Sequence, residues 1–274
     1  MSVTSLIFMP PLYRHAPADG NRHPTHAASG RPSGPRSCRM RTTHAYSPHI
    51  TRRISLYLWE RADWPAFRWD ADALLTALAD ARSRQGRLLG TMSQLGFDLQ
   101  VESELHATIE DVVKTSEIEG QTLDTGSVRS SVARRLGVSV GGVSVSDRTA
   151  DGVVEMVLDA TQHHDRPLSP ERLGGWHAAL FPTGYSGVRK ITIADWRTDR
   201  DGPMRVVSGP MGRQRVHYEA PPADRVAVEM DRFLSWFNGR PLIDGLLHSA
   251  IAHLWFVTVH PFDDGNGRIA RADR

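Results

Sequence analysis

Apolar residues recur at three- and four-residue intervals through most of the chain beyond residue 54, and a single stretch abandons that period for alternation. Between residues 71 and 96, Leu74, Leu75, Leu78, Ala81, Leu88, Leu89, Met92 and Leu95 keep mostly to one helical face, and Asp70 stands where an N-cap belongs. A second helix is expected from about Val101 to Glu119, with Leu105, Ile109, Val112 and Val113 inward and Gly120 placed for a left-handed C-cap. Further helices are expected at 125–136, 150–163 and 170–181, the last opened by Ser169 as cap and Pro170 in its first turn. Two more follow at 223–238 and 243–259, parted by the breaker Gly239-Arg240-Pro241. The exception is 204–219, where Val206 and Val207 precede a Gly/Pro turn at 208–212 and Val216 and Tyr218 follow it, the pattern of two short strands. The expected fold is therefore all-α with a small β-hairpin.

The first fifty residues lack any such period. They hold seven of the 17 prolines, six Arg and one Asp, so this tail carries +5 and leaves −3 on the remainder of a chain whose net charge is +2. Composition of this kind reads as a disordered basic Pro-rich tail over 1–50; an Arg-rich targeting or nucleic-acid-binding arm is the other reading, and translation starting near Met40 a third. A folded body close to neutral argues against nucleic acid as a partner, since phosphate tracking needs a basic face. The single cysteine, Cys38, excludes an intramolecular disulfide and Cys-rich zinc sites and suits a reducing, cytoplasmic location. The longest apolar run, 242–259, is broken by Asp244, His248 and His253, so no membrane span is expected. Tyr57, Trp59, Trp64, Phe67 and Trp69 crowd one short span that needs a surface to cover it. The domains are expected at 54–137 and 147–274.

The densest chemistry follows the last of these helices: His260-Pro261-Phe262-Asp263-Asp264-Gly265-Asn266-Gly267-Arg268-Ile269-Ala270-Arg271. Pro261 cannot continue a helix, so His260 is expected at its end, pointing out of the scaffold and available as a base. Gly265-Asn266-Gly267 permits a tight turn whose N–H groups converge on an anion. Arg268 and Arg271, three apart in the next helix, add guanidinium forks on one face. Asp264 offers a hard oxygen to the Mg²⁺ that polyphosphates bring, and Phe262 is expected to anchor the loop in the core. Two other readings exist. One is a bare Gly-Asn-Gly turn between helices; the other is a hydrolytic zinc site built from His253, His260 and the two aspartates, although no HExxH spacing supports it.

With His260, Phe262, Asp264, Gly265, Asn266, Gly267, Arg268 and Arg271 in place, the segment resembles the signature of the Fic domain, of the Fido superfamily. That resemblance implies a protein adenylyltransferase, a nucleotidyltransferase that moves AMP from ATP to a Ser, Thr or Tyr hydroxyl of a target protein, or in some settings removes it. By that likeness His260 is the base and Asp264 holds Mg²⁺. Gly265, Asn266 and Gly267 cradle phosphates, and Arg268 and Arg271 bind the outer ones. The 204–219 hairpin resembles the family's flap, on which a hydroxyl-bearing target adds a strand. Thr115-Ser116-Glu117-Ile118-Glu119-Gly120 resembles the family's inhibitory motif. Thr115 and Glu119 share a helix face, and the likeness implies that Glu119 competes with the ATP γ-phosphate for Arg271. Residues 58–96 resemble the small helical domain fused before self-inhibited Fic domains, whose exposed faces leave a homodimer open. The family continues beyond Arg271 through further helices. The alternative expectation is therefore a C-terminally truncated, catalytically impaired remnant that acts at most as a protein-binding module.

Overall fold

Helix capping and apolar spacing account for most of the elements in the computed structural model, which describes residues 57–139, 147–209, 213–239 and 241–272. The expected tail at 1–50 with Cys38 and Met40, the hairpin tip at 210–212, the breaker residue Arg240 and Arg274 lie outside the described residues. The order is α1 (Ala71–Met92), α2 (Phe97–Ile118), α3 (Thr125–Leu136), α4 (Arg148–Gln162), α5 (Pro170–Leu180), β1 (Tyr185–Ser186), β2 (Arg189–Lys190), β3 (Arg205–Ser208), β4 (Arg215–Glu219), α6 (Ala223–Asn238), α7 (Gly245–Val259) and α8 (Asn266–Ala272). Asp70, Asp124 and Ser169 accept from backbone N–H groups as N-caps of α1, α3 and α5, satisfying donors that a helix start otherwise leaves open. The fold is mainly helical, with two antiparallel hairpins among the described residues.

α4 is the axis of the core. Its Val153, Val154 and Met156 are fully buried, and it packs on α2, α3, α5 and α8. Gly152 is what lets α5 approach, because a Cβ there would overlap the carbonyl of Ala179. Phe233 and Met230 of α6 and Phe256 of α7 close the other side.

Of the aromatic span, Trp64 and Phe67 find cover against Trp255 of α7, while Trp69 is 42% exposed. Trp64 stacks edge-on to Trp255 with centroids 5.8 Å apart, and its indole N–H donates to Glu229 Oε2 at 2.9 Å. Glu229 is 1% exposed and also pairs with Arg225 at 2.6 Å, so the buried carboxylate is compensated. Trp59 donates to the carbonyl of Glu219, the last residue of β4, at 2.8 Å.

Three differences from the sequence reading stand out. α2 begins at Phe97, four residues before the expected Val101, because Phe97 and Leu99 of its first turns face solvent and give no inward signal. α1 has the expected period yet buries none of its residues, with Leu75, Leu88 and Leu89 all above 60% exposed. The β1–β2 hairpin, turned through Gly187 at φ 57°, has no counterpart in the sequence expectation.

Candidate functional site

The site is assembled around the end of α7. His260 takes a left-handed conformation, φ 54° and ψ 60°, and its N–H still bonds to Phe256 O at 2.9 Å. For a residue with a Cβ this conformation costs about 1–2 kcal/mol. Its Nδ1 lies 3.2 Å from Val257 O, and since a carbonyl can only accept, Nδ1 is the donor. The expectation of an outward-pointing histidine needs correction: His260 is 4% exposed. The left-handed turn folds it back over the loop, where it lines a cavity of about 10 Å³ with Glu119, Asp263, Asp264, Gly265, Asn266 and Gly267. That volume admits little more than one water.

The loop after His260 is fastened from below. Phe262 is fully buried and lies flat on His177, centroids 4.4 Å apart and planes 7° apart. Burial drives His177 down to about 4 against the pull of Asp263 and Asp264, so the ring is neutral. Asn266 spends its amide on the loop itself, accepting from Phe262 N at 2.9 Å and donating to Phe262 O at 2.8 Å. Its side chain therefore shapes the turn. Gly265 sits at φ 78°, and a Cβ on it would come within 2.9 Å of the Phe181 ring. Asp263 accepts from Thr192 N at 2.8 Å. Asp264 accepts from the Ser186 hydroxyl on β1 and from Gly265 N at 2.6 Å.

The end of α2 covers the other half of the loop. Gly120, at φ 74°, closes α2 with paired bonds: its own N–H to Glu117 O at 2.9 Å, and Gln121 N–H to Ser116 O at 2.9 Å. This is a Schellman ending, and it aims the residues on both sides of the glycine at the loop. Arg271 donates from Nε to Thr115 Oγ1 at 2.8 Å and from one terminal nitrogen to Thr115 O at 3.2 Å and Glu119 Oε1 at 2.6 Å. Arg268 donates to Gln121 Oε1 at 2.9 Å and stacks over Phe181 at 4.9 Å. Arg268 is 3% exposed, and burial pulls its pKa below the usual arginine value. Glu119 Oε1 sits against the loop backbone so closely that a Cβ on Gly267 would overlap it.

Beside the loop, β3 and β4 pair with a bulge between Val206 and Val207, and Val207 turns into the core. Tyr218 of β4 donates its hydroxyl to Thr258 O at 2.5 Å, seating the hairpin on the last turn of α7.

The structure thus brings His260, Asp264, Gly265, Asn266, Gly267, Arg268 and Arg271 together, with Thr115, Glu119 and Gly120 placed against them. His253 lies beside Ala270 O at 3.0 Å, and no group of three His, Cys, Asp or Glu side chains is placed to hold a metal ion among the described residues. Sequence reasoning missed Gln121, Ser186, His177 and Arg197. Gln121 directly follows the inhibitory motif and was the one most open to discovery; the others carry no local signature.

Comparison with known proteins agrees with this architecture. Residues 167–272 match the model of the Fic/DOC family, and residues 57–138 match that of a domain of unknown function, DUF4172. Among solved structures, a Fic family protein from Desulfovibrio desulfuricans is similar over 76% of this chain at 24% identity, with a TM-score of 0.51. A Fic domain containing signaling protein from Bacteroides thetaiotaomicron is similar over 67% at 20% identity, with a TM-score of 0.49. The chain spans 57% and 66% of the lengths of those two proteins. The likeness to the Desulfovibrio protein, at 24% identity, is one of fold. No curated protein matches the chain, and no helix among the described residues is long and apolar enough to cross a membrane.

Proposed function

The chain is a Fic domain protein, and from that premise we propose that it is a self-inhibited protein adenylyltransferase. Members of the family typically transfer AMP or other nucleotide groups to proteins. The observation that carries the finer reading is Glu119 Oε1 bonded to Arg271 at 2.6 Å while lying against the Gly267 backbone. A carboxylate already occupies the place where Arg271 and the glycine-rich loop would meet an anion. In this reading residues 54–137 restrain a catalytic domain at 147–274.

Each residue then has a task. The loop around Gly265, Asn266 and Gly267 offers backbone to the phosphates of ATP, and Arg268 and Arg271 neutralise the outer ones. His260 Nε2 takes the proton of the target's Ser, Thr or Tyr hydroxyl. The hydroxyl oxygen attacks the α-phosphorus, the bond to the bridging oxygen breaks, pyrophosphate leaves, and AMP stays on the target. Of the carboxylates lining the cavity, Glu119 is paired with Arg271 and Asp263 accepts from Thr192 N, so Asp264 is the one that would hold Mg²⁺, an ion that arrives with polyphosphate and takes one or two protein carboxylates; when bound, it would supply charge neutralisation. Ser186 and Gly265 N–H orient that carboxylate. The β3–β4 hairpin offers strand edges to an extended target segment.

The inhibition is competition for one guanidinium, which cannot fork to Glu119 and to a phosphate in the same geometry. Charge-assisted bonds contribute about 1.5–3 kcal/mol, so Glu119→Gly should tighten ATP binding roughly 10- to 100-fold. Incorporation of labelled AMP from ATP with Mg²⁺ is expected to be weak in the wild type, strong in Glu119→Gly and absent when His260→Ala is added. Equal incorporation in the wild type and Glu119→Gly would overturn the inhibitory assignment, and survival of activity in the His260→Ala variant would overturn the base. The competing reading, an impaired remnant acting as a protein-binding module, predicts no incorporation and no rise in the melting temperature of Glu119→Gly with ATP and Mg²⁺.

A further inference from the structure

Three successive carbonyls at the end of α7 meet one arginine. Arg197 donates from Nε to His260 O at 2.7 Å, from a terminal nitrogen to Val259 O at 3.5 Å, and from its backbone N–H to Pro261 O at 2.8 Å. The same terminal nitrogen reaches Pro221 O in the segment leaving β4, and the other donates to Asp199 Oδ1 at 3.1 Å. Asp199 Oδ2 in turn accepts from Ala223 N, at the start of α6, at 2.8 Å. The Arg197 side chain is 1% exposed.

Burying a guanidinium this deeply is costly unless its donors are met, and burial does pull the Arg197 pKa down, with Asp199 opposing it. Packing alone would be served by an apolar side chain, which would leave these carbonyls without donors. What the arginine adds is control of backbone direction. His260 is left-handed and precedes a proline, a conformation that persists only where the surroundings over-determine it. Without those hydrogen bonds the corner would relax toward extended backbone and carry the imidazole with it.

We propose that Arg197 is a positioning residue for His260, fixing the backbone of 259–261 so that Nε2 faces the cavity, and tying that corner to the segment that leaves β4. The proposal rests on His260 being the base. In the Glu119→Gly background, Arg197→Met is expected to lower kcat for AMP incorporation about 100-fold, the scale of a roughly 1 Å misplacement, with KM for ATP changed less than about twofold. Arg197→Lys should recover part of kcat, because an ammonium can still reach one or two of the carbonyls. Amide hydrogen exchange supplies a readout that needs no activity. Peptides covering 257–264 should exchange at least about tenfold faster in Arg197→Met, while peptides from α4 stay at the wild-type rate. Unchanged kcat, unchanged exchange at 257–264, or an equal acceleration in α4 would each overturn the positioning role. If Glu119→Gly alone is inert, the transferase reading falls and the exchange comparison still decides for Arg197.

Discussion

The two ends of the segment from His260 to Arg271 are held in different ways. At the His260 end the partners are backbone carbonyls, met by a buried arginine, and a fully buried phenylalanine lying on a neutral histidine. At the arginine end the partners are mainly side chains, those of Thr115, Glu119 and Gln121, with one carbonyl, Thr115 O, all contributed by the end of α2 and the residue beyond its closing glycine. The first kind of contact cannot be exchanged for a ligand without unfolding the corner. The second kind can, because phosphate oxygens make the same bonds as a carboxylate or an amide oxygen. A base must stay where it is, whereas a phosphate site must be able to change occupant.

The contrast can be broken most forcefully at Phe262. Removing its ring from a fully buried position should cost about 3–5 kcal/mol, read as a drop in the urea midpoint. A loss under about 1 kcal/mol would mean that the His260 end is not rigidly founded. The next effect is a pH dependence. His177 lies at about 4 in the folded chain against an ordinary 6.5, with Asp263, Asp264 and Arg268 as the charges facing it. The unfolded chain therefore takes up this proton first as pH falls. The contribution is fully present above pH 6.5 and drains away between 6.5 and about 4, about 3 kcal/mol in all. Denaturation midpoints at pH 7.5 and 4.5 check it, and His177→Gln should flatten that slope. The smallest effect belongs to the exchangeable end. Gln121→Ala should cost about 1.5–3 kcal/mol of stability, the range for a bond to a charged group, yet raise ATP affinity severalfold in a titration by freeing Arg268. A large loss of stability would show that Gln121 is structural rather than a removable cover.

Much of this was legible in the chain because it is local. Asp70 and Ser169 announce helix starts, Gly120 announces the end of α2, and Gly265 with Gly267 announces the turn, each through a rule acting within a few residues. What stayed hidden depends on distant partners. Arg197 is invisible to spacing arguments because the carbonyls it meets at the end of α7 lie some sixty residues away, and any residue type carries a carbonyl. Ser186 meets Asp264 only because the β1–β2 hairpin lies beside the loop. The burial of His260 follows from a dihedral choice at a pre-proline residue, which composition does not specify. α1 shows the limit of periodicity itself. Leu75, Leu88 and Leu89 mark a face, but a face is not a partner.

Gly120 has a consequence for how the protein would respond to a trigger. One left-handed residue sets the direction of both Glu119 and Gln121, so the two arginines share a single hinge. Moving that helix end by one side-chain length withdraws Glu119 from Arg271 and Gln121 from Arg268 together. An activator acting there would throw a toggle. Intermediate doses would change the number of molecules switched on, not the degree to which each one is.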